Sequence, residues 1–299
     1  IGSMLTTKLV YLGYDVTVLD LLKYSANSLN HLYSFKNFKL IIGDVRNKAL
    51  IKKEIKKNEI IIPLAALVGA PLCEKNKKEA VSVNFNSIKS LMKYITKKNK
   101  VIYLTSNSGY GVGKKNKFCD ENSPLNPISL YGRTKVDAEN LIMKYSNVIC
   151  FRLATVFGYS YRMRTDLLLN NFVFNSIKKR KLKIFEPHFR RNFIHVKDVA
   201  NCIVYSIKNF NHLKSNVYNL GLSSANLSKY MLAKKIKLKL KYLKIGLIKN
   251  RKDPDQRDYY VSNKKIEKKG FKAKIKVEEG IKELINVFVN SKEKVINNY

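Results

Sequence analysis

Ser129-Leu130-Tyr131-Gly132-Arg133-Thr134-Lys135-Val136-Asp137-Ala138-Glu139 lies between two apolar runs of strand length, Val101–Thr105 and Asn147–Leu153. Strand, helix, strand at this spacing is a unit of parallel sheet. Within the helix Tyr131 and Lys135 stand four apart, so both point from one face. A tyrosine hydroxyl is a poor base, with an ordinary pKa of about 10. A nearby ammonium favours the phenolate and lowers that pKa, which would let Tyr131 take a proton from an alcohol near neutral pH.

Spacing alone does not single out this pair. Random placement of 18 Tyr among so many lysines gives about three Tyr-x-x-x-Lys pairs, and the chain holds five: Tyr94/Lys98, Tyr110/Lys114, Tyr131/Lys135, Tyr230/Lys234 and Tyr260/Lys264. Context must choose among them. Composition narrows the classes. An apolar share of 45% builds a real core, and no run reaches the roughly 18 apolar residues of a membrane span. Cys73, Cys119, Cys150 and Cys202 are scattered without a Cys-x-x-Cys. Buried thiols of a reducing, cytoplasmic compartment are therefore expected, with no metal site. The net charge of +36 invites a nucleic-acid partner, but only ten of 58 basic residues are Arg and the lysines are dispersed. Arg dominates specific base and phosphate recognition, so incidental surface lysine is the reading here, with neither nucleic acid nor membrane as partner.

Outward from the central unit the alternation continues. Helices are expected at 4–12, 47–57 and 75–98, and strands at Asp15–Asp20, Phe38–Asp44 and Glu59–Ala66. Beyond 155 shorter strands (182–185, 193–196, 217–220) alternate with helices near 166–180, 197–209, 226–236 and 277–290. The pattern predicts an α/β fold, a Rossmann-like doubly wound parallel sheet over residues 1–155. A smaller α/β substrate lobe is expected over 156–299, some of whose segments return to the sheet. Ligands of such sheets lie beyond the carboxyl ends of the strands.

A dinucleotide-binding fold needs a strand and a Gly-rich turn before its first helix, so that the helix N-terminus faces the pyrophosphate. Here Ile1-Gly2-Ser3 opens that helix directly, so the first strand is expected to be missing and Gly2 to be the last glycine of the turn. Asp20, at a strand end 18 residues after Gly2, is placed to bind the ribose hydroxyls of NAD and to disfavour the 2′-phosphate of NADP. Asp44-Val45 could reach the adenine.

These features resemble the NAD-dependent sugar-nucleotide epimerase/dehydratase family, the extended short-chain dehydrogenase/reductases, with the opening strand cut away. Its motifs match Asp20, Asp44-Val45, Pro63-Leu64-Ala65-Ala66 (Pro replacing the usual His) and Val83-Asn84. The family's Ser-Ser-x-x-x-Tyr-Gly matches Thr105-Ser106-Asn107-Ser108-Gly109-Tyr110-Gly111. Its Tyr-x-x-x-Lys helix matches Tyr131 to Lys135, with Pro127 before and Ala138-Glu139 after. Later, Phe151–Gly158 resembles Arg-x-Phe-Asn-Val-Tyr-Gly with Thr155 for Asn. Arg191–Ala200 resembles Arg-Asp-Phe-x-x-Val-x-Asp-Val-Ala, and Asp255-Gln256-Arg257 resembles a late Asp-x-Arg.

The resemblance implies NAD as cofactor, held by Gly2, Asp20, Asp44, Val45, Ala65, Ala66, Asn84, Tyr131 and Lys135. It implies catalysis by Ser106, Tyr131 and Lys135, with Asn107, Thr155, Arg191 and Arg257 meeting a GDP- or UDP-linked sugar. A homodimer paired through the helices near 75–98 and 131–145 is also implied. The expected activity is oxidation at C4 of a nucleotide sugar, by a 4-dehydrogenase or 4-epimerase, with a UDP-hexose 4-epimerase as the alternative. Dehydratases of the family carry Asp-Glu after the catalytic Ser/Thr; Asn107-Ser108 here can do no carboxyl chemistry, which disfavours 4,6-dehydration. A non-catalytic NAD- or RNA-binding relative is opposed by the intact Ser106/Tyr131/Lys135 set. Within the family, the segments 65–73, 107–111, 163–164 and 189–192 most resemble bacterial GDP-heptose 4-dehydrogenases of capsule biosynthesis.

Overall fold

In the computed structural model, residues 1–114, 117–248 and 257–290 are described. The chain opens with helix α1 (Gly2–Tyr11), then β1 (Val16–Asp20), β2 (Phe38–Ile42), α2 (Lys48–Lys57) and β3 (Ile60–Ile61). Next come α3 (Ala70–Lys75), α4 (Lys77–Val81), α5 (Ser87–Met92) and β4 (Lys100–Ser106). A short β5 (Phe118–Cys119) precedes α6 (Leu130–Ile142) and β6 (Val148–Leu153). The second half adds β7 (Thr155–Phe157), α7 (Leu168–Lys179), β8 (Lys181–Phe185), β9 (Arg190–His195), α8 (Val196–Lys208) and β10 (Asn216–Leu220). Residues Lys229–Lys239 and Val277–Asn290 form further helices.

The parallel sheet expected from the alternation is present, in two pieces. One runs β10-β6-β4-β3; the other is β1-β2, all pairs parallel. The edges of β1 and β3 line one cavity along their length, from Asp15 and Glu59 at one end to Asp20 and Leu64 at the other. β6 is buried at every position (Val148–Leu153), as a central strand covered on both faces must be. β10 comes from the second half and pairs with β6 in register, Val217 opposite Cys150. It is one of the returning segments, and the main core cluster draws on both halves, from Leu5 to Phe288.

Two expected elements differ. The helix at 75–98 is three helices with a π-helical turn at Ser82–Asn86 between α4 and α5. That turn swings Asn84 inward, where its amide takes Leu67 N at 2.8 Å and gives to Leu67 O at 3.0 Å. A π-turn of this kind is a common way to aim one side chain. The strand expected over 59–66 pairs only at Ile60–Ile61. Pro63, without an N–H, cannot extend the ladder.

Beneath α6 lies a buried polar hub. Arg152 on β6 donates to both oxygens of Glu139 on α6, at 2.6 to 3.2 Å, with side chains 7% and 4% exposed. The same guanidinium donates to Tyr110 Oη (3.0 Å) and to the Glu121 carbonyl (3.1 Å). Tyr110 Oη in turn gives to Asn219 Oδ1 of β10 at 2.7 Å. Gly111 ends this loop at φ +66, where a Cβ would stand 2.2 Å from the Asn126 carbonyl. Only glycine fits there. Glu139→Gln should destabilise the fold by about 3 to 5 kcal/mol, since it leaves a buried guanidinium without its counter-charge. Denaturant unfolding measures it; a loss under about 1 kcal/mol would show that the pair is not the tie described.

Candidate active site

One cavity of about 1600 Å³ runs along the edges of β1 and β3 and opens over the carboxyl ends of the strands. Of the residues expected from sequence, Gly2, Asp20, Val45, Ala65, Ala66, Ser106, Tyr131, Lys135, Thr155, Arg191 and Arg257 line it.

Ser106 ends β4. Its hydroxyl caps the following turn, accepting from Ser108 N at 3.1 Å, and Ser108 Oγ donates to it at 2.9 Å. Tyr131 and Lys135 are delivered by the first turns of α6, whose N-cap Ser129 accepts from Gly132 N at 3.2 Å. Gly132 packs against Pro127 Cβ and the Ser108 carbonyl, so α6 and the Ser106 turn lie against each other.

The electrostatics depart from the expectation of an ammonium-lowered tyrosine. Burial pushes Tyr131 up to about 12; the Arg257 charge is the largest pull downward, with a hydrogen bond from Ser106 and the Arg164 charge also lowering it. Lys135 does not act there. Its Nζ donates to the Leu104 carbonyl at 3.1 Å and meets Tyr103 Oη at 3.2 Å, and burial lowers its own pKa to about 8. The cause is desolvation: in a buried site both groups prefer neutrality.

Three expected contacts are corrected. Asn84 is 1% exposed and does not line the cavity; its amide is bonded to Leu67 and approaches Thr134 Oγ1 at 3.3 Å. It therefore braces the 65–69 loop against α6. Asp44 lies off the cavity, gripped through both oxygens by Arg46, whose guanidinium holds its carboxyl below the usual range. Only Val45 of that pair lines the cavity. Asn107 is 2% exposed and turned away from the cavity. Asp255 and Gln256 of the late motif lie outside the described residues.

Several lining residues were not anticipated. Arg162 stands over the Tyr24 ring at 5.0 Å and feels the Asp20 charge. Arg164 pairs with Asp166. Lys229, 3% exposed, donates to the Phe185 carbonyl at 3.3 Å and lies 3.6 Å from Glu186. Met163-Arg164 stood in the sequence as a resemblance only, and Lys229 was one lysine among many. His195 is buried and caps α8: Nδ1 accepts from Lys197 N at 3.2 Å, and Nε2 meets Glu283 at 2.7 Å.

The cavity suits a dinucleotide. Ile1, Gly2 and Ser3 line it at the N-terminus of α1. A helix N-terminus suits a pyrophosphate. Asp20 lies on the rim at the end of β1, accepting from Leu22 N at 2.7 Å.

Fold and site together define an α/β nucleotide-binding protein with a Ser/Tyr/Lys constellation at the strand ends. The chain belongs to the NAD dependent epimerase/dehydratase family, whose model matches residues 1–221. A dTDP-D-glucose 4,6-dehydratase of Mus musculus is 27% identical over 296 residues, 92% of this chain and 81% of that protein. Among solved structures, the UDP-glucuronic acid 4-epimerase of Bacillus cereus, with UDP-glucuronic acid and NAD, is similar at TM-score 0.85 and 20% identity, over 97% and 96% of the two chains. The UDP-glucose 4-epimerase of Thermotoga maritima, with UDP-glucose, gives TM-score 0.85 and 22% identity over 98% and 96%. At these identities the structural likeness is one of fold.

Tyr131→Phe should leave thermal stability nearly unchanged and lower turnover by about 10² to 10⁴, the usual loss for a general base. Steady-state rates beside a melting curve check it; more than about 1% residual activity removes Tyr131 from that role. A second expectation concerns pH. Lys135 binds fewer protons folded than unfolded between about pH 8 and its ordinary 10.5, so stability rises with pH in that window. The burial penalty is fully present below pH 8. Wild type should therefore gain on Lys135→Met as pH rises from 8 to 10, in paired melts of cofactor-free protein; parallel curves would contradict the burial-lowered pKa.

Proposed function

We propose that this chain catalyses NAD-dependent oxidation at C4 of a nucleotide-linked sugar, as a 4-dehydrogenase or 4-epimerase. The observation that carries this reading is that Ser106, Tyr131 and Lys135 share one cavity with Gly2, Asp20, Arg191 and Arg257. NAD supplies the hydride acceptor when bound. The first-turn amides of α1, Asp20, Val45, Ala65 and Ala66 hold it. Tyr131 removes the proton from the C4 hydroxyl, and Ser106 donates a hydrogen bond to the reacting oxygen. Lys135 would hold the nicotinamide ribose, and its ammonium, brought near Tyr131, would favour the phenolate. Arg191 and Arg257 hold the diphosphate, for which forked donors are suited. Thr155 borders the sugar.

After oxidation the 4-keto sugar is either released or reduced on its other face. Dehydration would need an acid for the C6 hydroxyl and a base for the C5 proton. The positions after Ser106 offer an amide and a hydroxyl, Asn107 and Ser108, both buried. The nucleotide is GDP or UDP; the likeness of the 65–73 and 189–192 segments to GDP-heptose 4-dehydrogenases favours a GDP-heptose and a role in capsule or cell-surface polysaccharide synthesis. A homodimer in the cytoplasm, without nucleic acid, completes the reading.

Screening GDP- and UDP-sugars with added NAD, read by product mass, tests it. A loss of about 2 Da (a hydride and a proton removed) or an unchanged mass with inverted C4 is expected. Loss of about 18 Da, one water, would make the protein a dehydratase with an acid and base elsewhere in the cavity.

A further inference from the structure

We infer that Ser108 is a positioning residue that makes Ser106 a one-way hydrogen-bond donor towards Tyr131 and the reacting oxygen. The inference rests on the proposed role of Ser106 and adds a residue to it. A serine hydroxyl has one proton to give and two lone pairs to accept with. Ser106 Oγ receives two donors from one residue: the Ser108 backbone N–H at 3.1 Å and the Ser108 hydroxyl at 2.9 Å. With both lone pairs engaged, Ser106 can only give its proton outward.

The opposite orientation is disfavoured by burial. Ser108 is 1% exposed and does not line the cavity. If Ser106 donated to Ser108, the Ser108 proton would have to find another acceptor in a dry site, and an unmet buried donor is costly. Outward, Ser106 lines the same cavity as Tyr131, which leaves its proton an open side to be given to. The turn that fixes this arrangement is held from two sides. Gly132 of α6 packs against the Ser108 carbonyl, and Gly109 lies so close to Val136 and Leu125 that its Cβ would stand 3.0 and 3.4 Å from them. The Ser108 backbone therefore cannot shift without disturbing α6.

The arrangement also assigns a role to Ser108 other than the acid chemistry that a carboxylate at this position would do. A donor locked onto Ser106 makes its hydroxyl a fixed dipole aimed at the developing charge, and preorganised donors are worth most where water is excluded.

Neutron diffraction of the perdeuterated protein reads the geometry without a substrate. The expected density places the Ser108 deuteron on the line to Ser106 Oγ and the Ser106 deuteron towards Tyr131. A Ser106 deuteron pointing at Ser108 overturns the inference whatever the substrate proves to be. A double-mutant cycle, with the nucleotide sugar found by the mass screen and UDP-glucose as the standing probe, reads the consequence. Ser108→Ala should lower kcat by about tenfold, the scale of one lost hydrogen bond in a dry site, with KM little changed, and Ser108→Thr should restore most of it. In a Ser106→Ala background, Ser108→Ala should have no further effect. Additive losses, or a full kcat in Ser108→Ala beside a depressed one in Ser106→Ala, would overturn the positioning role while leaving the proposed function standing. Full activity in Ser106→Ala would remove Ser106 from catalysis and the positioning role with it.

Discussion

The ion pair of Arg152 and Glu139 fastens the catalytic helix to the sheet. Glu139 lies on α6, two turns beyond Tyr131 and one beyond Lys135, and Arg152 lies near the carboxyl end of β6. Two fully desolvated charges would cost several kcal/mol each, and they persist only because every side of the guanidinium finds an acceptor. Those acceptors come from elements far apart in sequence: Glu139, Tyr110 after β4, and the Glu121 backbone. Through Tyr110 the network reaches Asn219 on β10. The loop bearing Ser106, the helix bearing Tyr131 and the strand returning from the second half are thus set by one buried cation.

That rigidity has a chemical consequence. With Tyr131 and Lys135 both nine-tenths buried or more, each resists its charged form. Burial holds the Tyr131 phenol in its neutral form, against which nearby positive charge works. Arg257 and Arg164 already pull the Tyr131 pKa down. The Lys135 ammonium is parked on the Leu104 carbonyl.

The sequence carried the fold through its alternation of apolar runs, and the catalytic trio through short local motifs whose geometry a single helix or turn determines. Tyr131 and Lys135 share a face because they are four apart, and Ser106 ends a strand because the apolar run ends there. What it could not carry depended on tertiary contacts. Asn84, Asp44 and Asn107 occupy the motif positions, yet a π-turn, an arginine two residues away and a buried turn each withdraw the side chain from the cavity. Asp44 and Arg46 could have been foreseen as a local pair. Lys229 could not, because in a chain with 58 basic residues no local signal distinguishes one lysine that is 3% exposed. The direction of Lys135 was equally hidden, since it turns on the desolvation of the site rather than on spacing.

The central claim is that the C4–H bond is broken while Tyr131 takes the hydroxyl proton. A single-turnover experiment tests it most directly: NAD-loaded enzyme is mixed with nucleotide sugar deuterated at C4 or at C5, and the absorbance of the reduced nicotinamide is followed. Deuterium at C4 should slow its appearance while deuterium at C5 leaves it unchanged, and Tyr131→Phe should abolish the signal. Equal rates for the two labels, or an undiminished signal in Tyr131→Phe, would contradict it.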